Sequence, residues 1–183
     1  MWYLHISKQV EYLMKIFIMR HGEASSQCVT SNYSDTLRPL TALGESEVKR
    51  MGLWLARTQA NPIEIFVSPY LRAQQTCSHV VNVLAESGVL LATQPKTLDF
   101  ITPAGDAQQT HDFIDGLLAQ NADEKKIILF VSHMPFVSYL VSQLTQSQDM
   151  PIFATGAIAQ IDYDSQLMQG QMVELVSPAK VER

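Results

Sequence analysis

Residues 126–131 read Lys-Ile-Ile-Leu-Phe-Val, five apolar side chains in a row behind a single charge. A strand with one wet face alternates apolar and polar residues, and an unbroken apolar run has no polar face to offer water. Such a run is expected at the centre of a parallel sheet, with helices covering both of its faces. Lys15 to Met19 (KIFIM) has the same character, and Ile63 to Val67 (IEIFV) supplies a further strand. Amphipathic stretches separate these runs, so the pattern predicts an α/β fold of three layers, α/β/α, around a mostly parallel central sheet.

The intervening segments carry their own punctuation. Thr41 can cap a helix to about Gln59, with Val48, Met51 and Leu55 on one stripe, and Asn61-Pro62 ends it. Ser68 followed by Pro69 reads as a cap and first helical residue, opening a helix through Val80, Val83 and Leu84 to a stop near Gly88. A weaker strand is expected over Val89 to Gln94. Asp106 can cap a helix through Phe113, Ile114 and Leu117, and Ser132 to Pro135 leads into another that ends near Gln146. Two closing strands, Ala157 to Tyr163 and Gln171 to Val176, flank a polar connection. With no repeat or linker, residues 14–178 read as one domain. Residues 1–13 (MWYLHISKQVEYL) lack the continuous apolar core of a signal peptide, and Met14 directly precedes the first strand. They are expected to be an optional or non-native extension.

Composition narrows the function classes. The 183 residues suffice to bury a core without metal or disulfide staples. The net charge is −5 with no basic run, which argues against a nucleic-acid partner. No segment reaches the roughly 18 to 20 apolar residues of a membrane span. The two cysteines, Cys28 and Cys77, form no metal or redox motif and suggest a reduced, cytoplasmic protein.

Three strands are each followed at once by a polar cluster: Arg20-His21-Gly22, Ser68-Pro69-Tyr70-Leu71-Arg72, and Ser132-His133. Open α/β sheets bind ligands beyond the carboxyl ends of their strands, so parallel neighbours would bring two arginines and two histidines together. That is an anion site, and a phosphoryl site in particular. Arg72 falls in the first turn of its helix, where the macrodipole favours an anion, and Thr76 shares its face. The alternative for Arg72 is a surface arginine paired with a carboxylate. His21, beside Arg20, is the candidate nucleophile, since nearby cations hold an imidazole neutral. Gly22 spares a side chain where backbone would approach substrate. His133 could equally be a solvated helix-start residue. A metal bound by His21, Glu23 and His133 is disfavoured by the two arginines, and no cofactor is expected. His5, His79, His111 and both cysteines read as ordinary packing or surface residues.

These clusters resemble the signature of the histidine phosphatase superfamily, which has the phosphoglycerate-mutase-like fold. Within it, the chain is similar over residues 14–178 to the small SixA-type phosphohistidine phosphatases. Arg20-His21-Gly22-Glu23-Ala24, Arg38-Pro39-Leu40-Thr41, Thr102-Pro103-Ala104-Gly105-Asp106 and Val131-Ser132-His133-Met134-Pro135 carry that likeness. The resemblance implies transient phosphorylation of His21, with Arg20, Arg72 and His133 holding the phosphoryl oxygens and Gly22, Ser68 and Thr76 supporting the pocket. It points to Asp99, or else Glu23, as the acid that larger members use. It further implies a phosphorylated protein substrate, a histidine-containing phosphotransfer domain of a signalling relay. The alternatives are a small-molecule phosphomonoesterase of the same superfamily and a non-catalytic phospho-binding module. With only residues 89–106 between the second and third helices, little chain remains to cover the site.

Overall fold

The computed structural model describes residues 13–26, 34–58, 62–119 and 127–181. In chain order the elements are β1 (Leu13–Arg20), α1 (Ala42–Thr58), β2 (Ile63–Val67), α2 (Leu71–Glu86), β3 (Lys96–Thr97) and α3 (Ala107–Ala119). They continue with β4 (Ile127–Ser132), α4 (Phe136–Thr145), β5 (Ile158–Asp164) and β6 (Gln169–Val176), and a 3-10 turn spans Asp35–Leu37. The six strands form one sheet in the order β3-β2-β4-β1-β5-β6. β4 lies in parallel between β1 and β2, β3 extends the parallel part, and β5 runs antiparallel to both β1 and β6.

Every residue of β4 is buried, as its composition requires. Successive side chains of a strand point to opposite faces, and the core divides accordingly. On one face Phe17, Met19, Ile65, Val67, Leu129 and Val131 pack with Val48, Met51 and Leu55 of α1 and Val80 and Leu84 of α2. On the other, Ile16, Ile18, Phe66, Ile128 and Phe130 pack with Ile114 of α3 and Val137, Leu140 and Leu144 of α4. Each such aliphatic or aromatic side chain contributes about 1.5–3 kcal/mol when removed from water. Gly52 lets α1 and α2 approach, since a Cβ there would meet Val83 at 3.1 Å.

Several local expectations hold. Thr41 accepts from the Gly44 N–H at 3.1 Å at the start of α1, and Asp106 accepts from the Gln108 N–H at 2.8 Å at the start of α3. α2 ends at Glu86, with Gly88 in the left-handed region at φ 75°. His111 is buried on α3 with its Nε2 2.6 Å from the Tyr163 hydroxyl of β5, a packing role. Cys77 packs in the core, and burial pushes its thiol up to about 12.

Two expectations are corrected. Ser68 does not cap α2, and Pro69 is not its first residue: the helix begins at Leu71 behind Tyr70, with no side-chain cap. The Ser68 hydroxyl is engaged elsewhere, on His133. Val89 to Gln94 forms no strand; Leu91 makes only an isolated bridge to Ile63, and the sheet gains its edge from Lys96–Thr97. Cys28, His5 and all of the suggested extension 1–13 except Leu13, which opens β1, lie outside the described residues. None of the helices among those residues is long and apolar enough to cross a membrane.

Candidate active site

Strand register decides which side chains meet. Arg20 pairs with Ser132 and Val67 with Val131, so the residues that follow, His21, Ser68 and His133, emerge side by side at one end of the sheet. Backbone bonds complete the alignment: the His21 N–H donates to the Ser132 carbonyl at 2.9 Å and the Ser68 N–H to Val131 at 3.0 Å. From the β5 side, the Gly156 N–H donates to the His21 carbonyl at 3.0 Å.

The hydrogen bonds of His21 fix its tautomer. Nδ1 lies 2.7 Å from the Gly22 carbonyl oxygen, which can only accept, so Nδ1 carries the proton. Nε2 receives the Nε–H of Arg72 at 3.1 Å, and an arginine can only donate, so Nε2 presents a lone pair. Burial, joined by the charges of Arg72, Arg20 and Arg38, pushes the imidazole down to about 4 against the opposing Gly22 hydrogen bond. At neutral pH the ring is uncharged and its Nε2 is unprotonated.

His133 lies with its ring centre 5.0 Å from that of His21 and 4.9 Å from that of Tyr70. Its Nε2 is 2.7 Å from the Ser68 hydroxyl. Burial first, then His21 and Arg72, push it down to about 2, with Asp35 opposing. Arg20 donates from one terminal nitrogen to the Phe153 carbonyl at 2.7 Å. Burial lowers its pKa somewhat while Glu47 works against the shift. Among the described residues, two buried side-chain nitrogens lack any partner, Arg20 Nε and His133 Nδ1, and both belong to this cluster.

Arg72 is 5% exposed, and its terminal nitrogens donate to Asp35, at 2.7 Å to the carbonyl and 3.0 Å to the carboxylate. The surface ion pair considered for Arg72 is thus half present: a carboxylate is there, but the guanidinium is buried and touches the nucleophile candidate. Thr76 donates to the Arg72 carbonyl at 2.7 Å and accepts from the Gly22 N–H at 3.2 Å, joining α2 to the loop after β1. Gly22 has a packing reason that the sequence did not reveal. A Cβ there would lie 2.5 Å from the Gly44 carbonyl oxygen of α1, so the glycine serves close packing of the loop on the helix.

The structure therefore brings together Arg20, His21, Gly22, Ser68, Arg72, Thr76 and His133. Among the described residues, no side-chain hydrogen bond joins either acid candidate to this cluster. Glu23 accepts the Thr41 hydroxyl at 2.5 Å beside α1. Asp99 is exposed, and among the described residues no hydrogen bond ties it to the cluster. Sequence reasoning missed Asp35, which belongs to no motif, and the Phe153 carbonyl, which no side-chain pattern reveals. It also missed Glu47, which accepts the Glu23 N–H at 2.8 Å and the Thr155 hydroxyl at 2.8 Å and so braces the loops beside Arg20.

The sequence model of the histidine phosphatase superfamily (branch 1) matches residues 16–92. The phosphohistidine phosphatase SixA of Escherichia coli (strain K12) is 34% identical over 151 residues, covering 82% of this chain and 86% of that protein. A SixA homolog of Haemophilus influenzae is 35% identical over 156 residues, covering 82% of this chain and 89% of its own. In three dimensions the chain superposes on a protein histidine phosphatase SixA solved with tungstate, with a TM-score of 0.81 and 32% identity. That match covers 92% of this chain and 100% of the other.

Proposed function

The chain belongs to the histidine phosphatase superfamily and is a phosphatase with a histidine nucleophile; from that premise we propose that it hydrolyses phosphohistidine on a protein, with His21 as the nucleophile. The observation that carries this reading is the pairing of a neutral His21, whose unprotonated Nε2 faces Arg72, with two partnerless buried nitrogens beside it. A buried donor left without an acceptor costs about 1–3 kcal/mol. The oxygens of a phosphoryl group seated on Nε2 supply the missing acceptors.

In the first step His21 Nε2 attacks phosphorus as the substrate's P–N bond breaks, and the electron pair passes to the departing imidazole. In the second, water attacks phosphorus, the P–Nε2 bond breaks, and phosphate leaves. Arg20 and Arg72 stabilise the oxygens' charge in both transition states, where preorganised donors are most effective. With the Ser68 hydroxyl donating to His133 Nε2 in the tautomer this reading needs, the proton lies on the partnerless Nδ1, ready for a phosphoryl oxygen.

The nature of the leaving group favours phosphohistidine. A phosphoester needs an acid to protonate its departing oxygen. The two histidines are neutral and Glu23 is held by Thr41, which leaves the exposed Asp99, not hydrogen-bonded to the cluster among the described residues, as the acid candidate. An imidazole leaving group can carry its own proton near neutral pH. A protein-borne substrate suits the setting: residues 87–106 contain no helix, and Leu37 (52% exposed) and Ile152 (83% exposed) lie beside Asp35 and Phe153. The substrate we favour is a histidine-containing phosphotransfer domain of a phosphorelay, met in the cytoplasm.

The test sets a phosphotransfer domain, phosphorylated and labelled on histidine, against a panel of sugar and nucleotide phosphates. Release of phosphate from the domain with kcat/KM well above any phosphoester is expected. Preference for a small phosphoester would make the chain a phosphomonoesterase instead.

A further inference from the structure

The Asp35 carboxylate is the outer anchor of the arginine that touches His21. Its Oδ2 lies 3.0 Å from a terminal nitrogen of Arg72 and its Oδ1 2.9 Å from one of Arg38, and its side chain is 56% exposed against 6% for Arg72. The Arg72 guanidinium therefore runs from the His21 Nε2 at its inner end to Asp35 at the solvent side. Among the described residues no other carboxylate forms an ion pair with the arginines of this cluster. A carboxylate oxygen has about two lone-pair sites, so each Asp35 oxygen retains capacity to accept another donor.

That position matters for a leaving imidazole. A phosphohistidine departs readily when the ring nitrogen not bonded to phosphorus is protonated, because the electron pair of the breaking bond then ends on a neutral ring. Arg20, Arg38 and Arg72 all oppose a positive charge there, since like charges nearby disfavour the protonated form. An anion at the mouth works the other way.

Resting on the phosphohistidine reading above, we propose that Asp35 is a specificity-determining residue whose carboxylate accepts a hydrogen bond from the protonated, non-phosphorylated ring nitrogen of the substrate. As the His21 Nε2–phosphorus bond forms and the substrate's P–N bond breaks, the electron pair passes to the departing nitrogen and the proton stays on the other. A phosphomonoester offers no such N–H, and its departing oxygen, gaining negative charge, is repelled by the same carboxylate. Asp35 thus favours turnover of phosphoramidates over that of phosphoesters.

The experiment compares wild type, Asp35→Asn and Asp35→Glu on a phosphotransfer domain phosphorylated at histidine and on p-nitrophenyl phosphate, from pH 6 to pH 8. For Asp35→Asn, kcat/KM on the phosphodomain is expected to fall about tenfold or more at pH 8 and less at pH 6, where solvent protonates the ring unaided. On p-nitrophenyl phosphate, where only the looser hold on Arg72 is felt, the loss at pH 8 should be several-fold smaller, and Asp35→Glu should recover part of the loss on the phosphodomain. Equal losses on both substrates, independent of pH, would mean that Asp35 only holds Arg72 and would overturn the inference alone. A wild-type protein active on p-nitrophenyl phosphate but inert toward the phosphodomain would overturn the substrate reading and this inference together. Unchanged thermal midpoints and circular dichroism establish that the variants are folded.

Discussion

His21 shows how a side chain is made nucleophilic by neighbours that never react. The Gly22 carbonyl takes the Nδ1 proton, Arg72 faces the Nε2 lone pair, and burial keeps the ring uncharged. The folded ring titrates near 4, below its usual 6.5, so it stays neutral as the pH falls through 6.5 and gains a proton only near 4. Proton uptake by the unfolded chain in that window makes His21 a source of stability above pH 6.5 that is withdrawn as the pH falls from 6.5 to about 4. In a pH series followed by NMR, the His21 ring resonances should stay constant from pH 8 to pH 5. A midpoint near 6.5 would show that the ring is not held neutral. At the same scale, nothing in the order of amino acids marks Asp35. Its contacts with Arg72 join positions far apart in the chain, and a single aspartate in a polar stretch leaves no pattern.

Strands and helices place these residues, and their legibility follows from how they are buried. β4 and β1 could be read because burial on both faces leaves an apolar run without interruption. β3 could not, because its two residues are exposed and its place depends on pairing with β2. The start of α2 was misread because Ser68, a good capping residue, is used to hold His133 instead. The loop after β1 depends on α1 in a way that spacing alone does not reveal: a Cβ on Gly22 would sit 2.5 Å from the Gly44 carbonyl, and one on Gly44 2.1 Å from the Glu23 carbonyl. Both obstacles are backbone atoms that cannot rotate away. Gly22→Ala should therefore cost about 1–3 kcal/mol in urea unfolding and reduce turnover by displacing His21. An alanine variant of full stability and activity would show that the loop has room to move.

At the scale of the whole molecule, the sheet order gathers distant segments at one edge. Placing β4 between β1 and β2 brings residues 21, 68 and 133 together, and the loop that leads into the antiparallel β5 supplies the backbone that braces His21 and receives Arg20. The fold class, the parallel core and the four charged or imidazole groups were all legible, since each cluster directly follows a buried strand. What was not legible was the outer ring of Asp35, Glu47 and the Phe153 carbonyl, whose roles arise only when loops from different strands pack together. In the proposed reaction all phosphorus passes through His21. Rapid acid-free quenching of the protein with a radiolabelled phosphodomain, followed by peptide mapping, tests that directly. The expected result is an acid-labile, base-stable label on the peptide containing His21, absent from His21→Ala along with turnover. Label on another residue, or full turnover by His21→Ala, would contradict it.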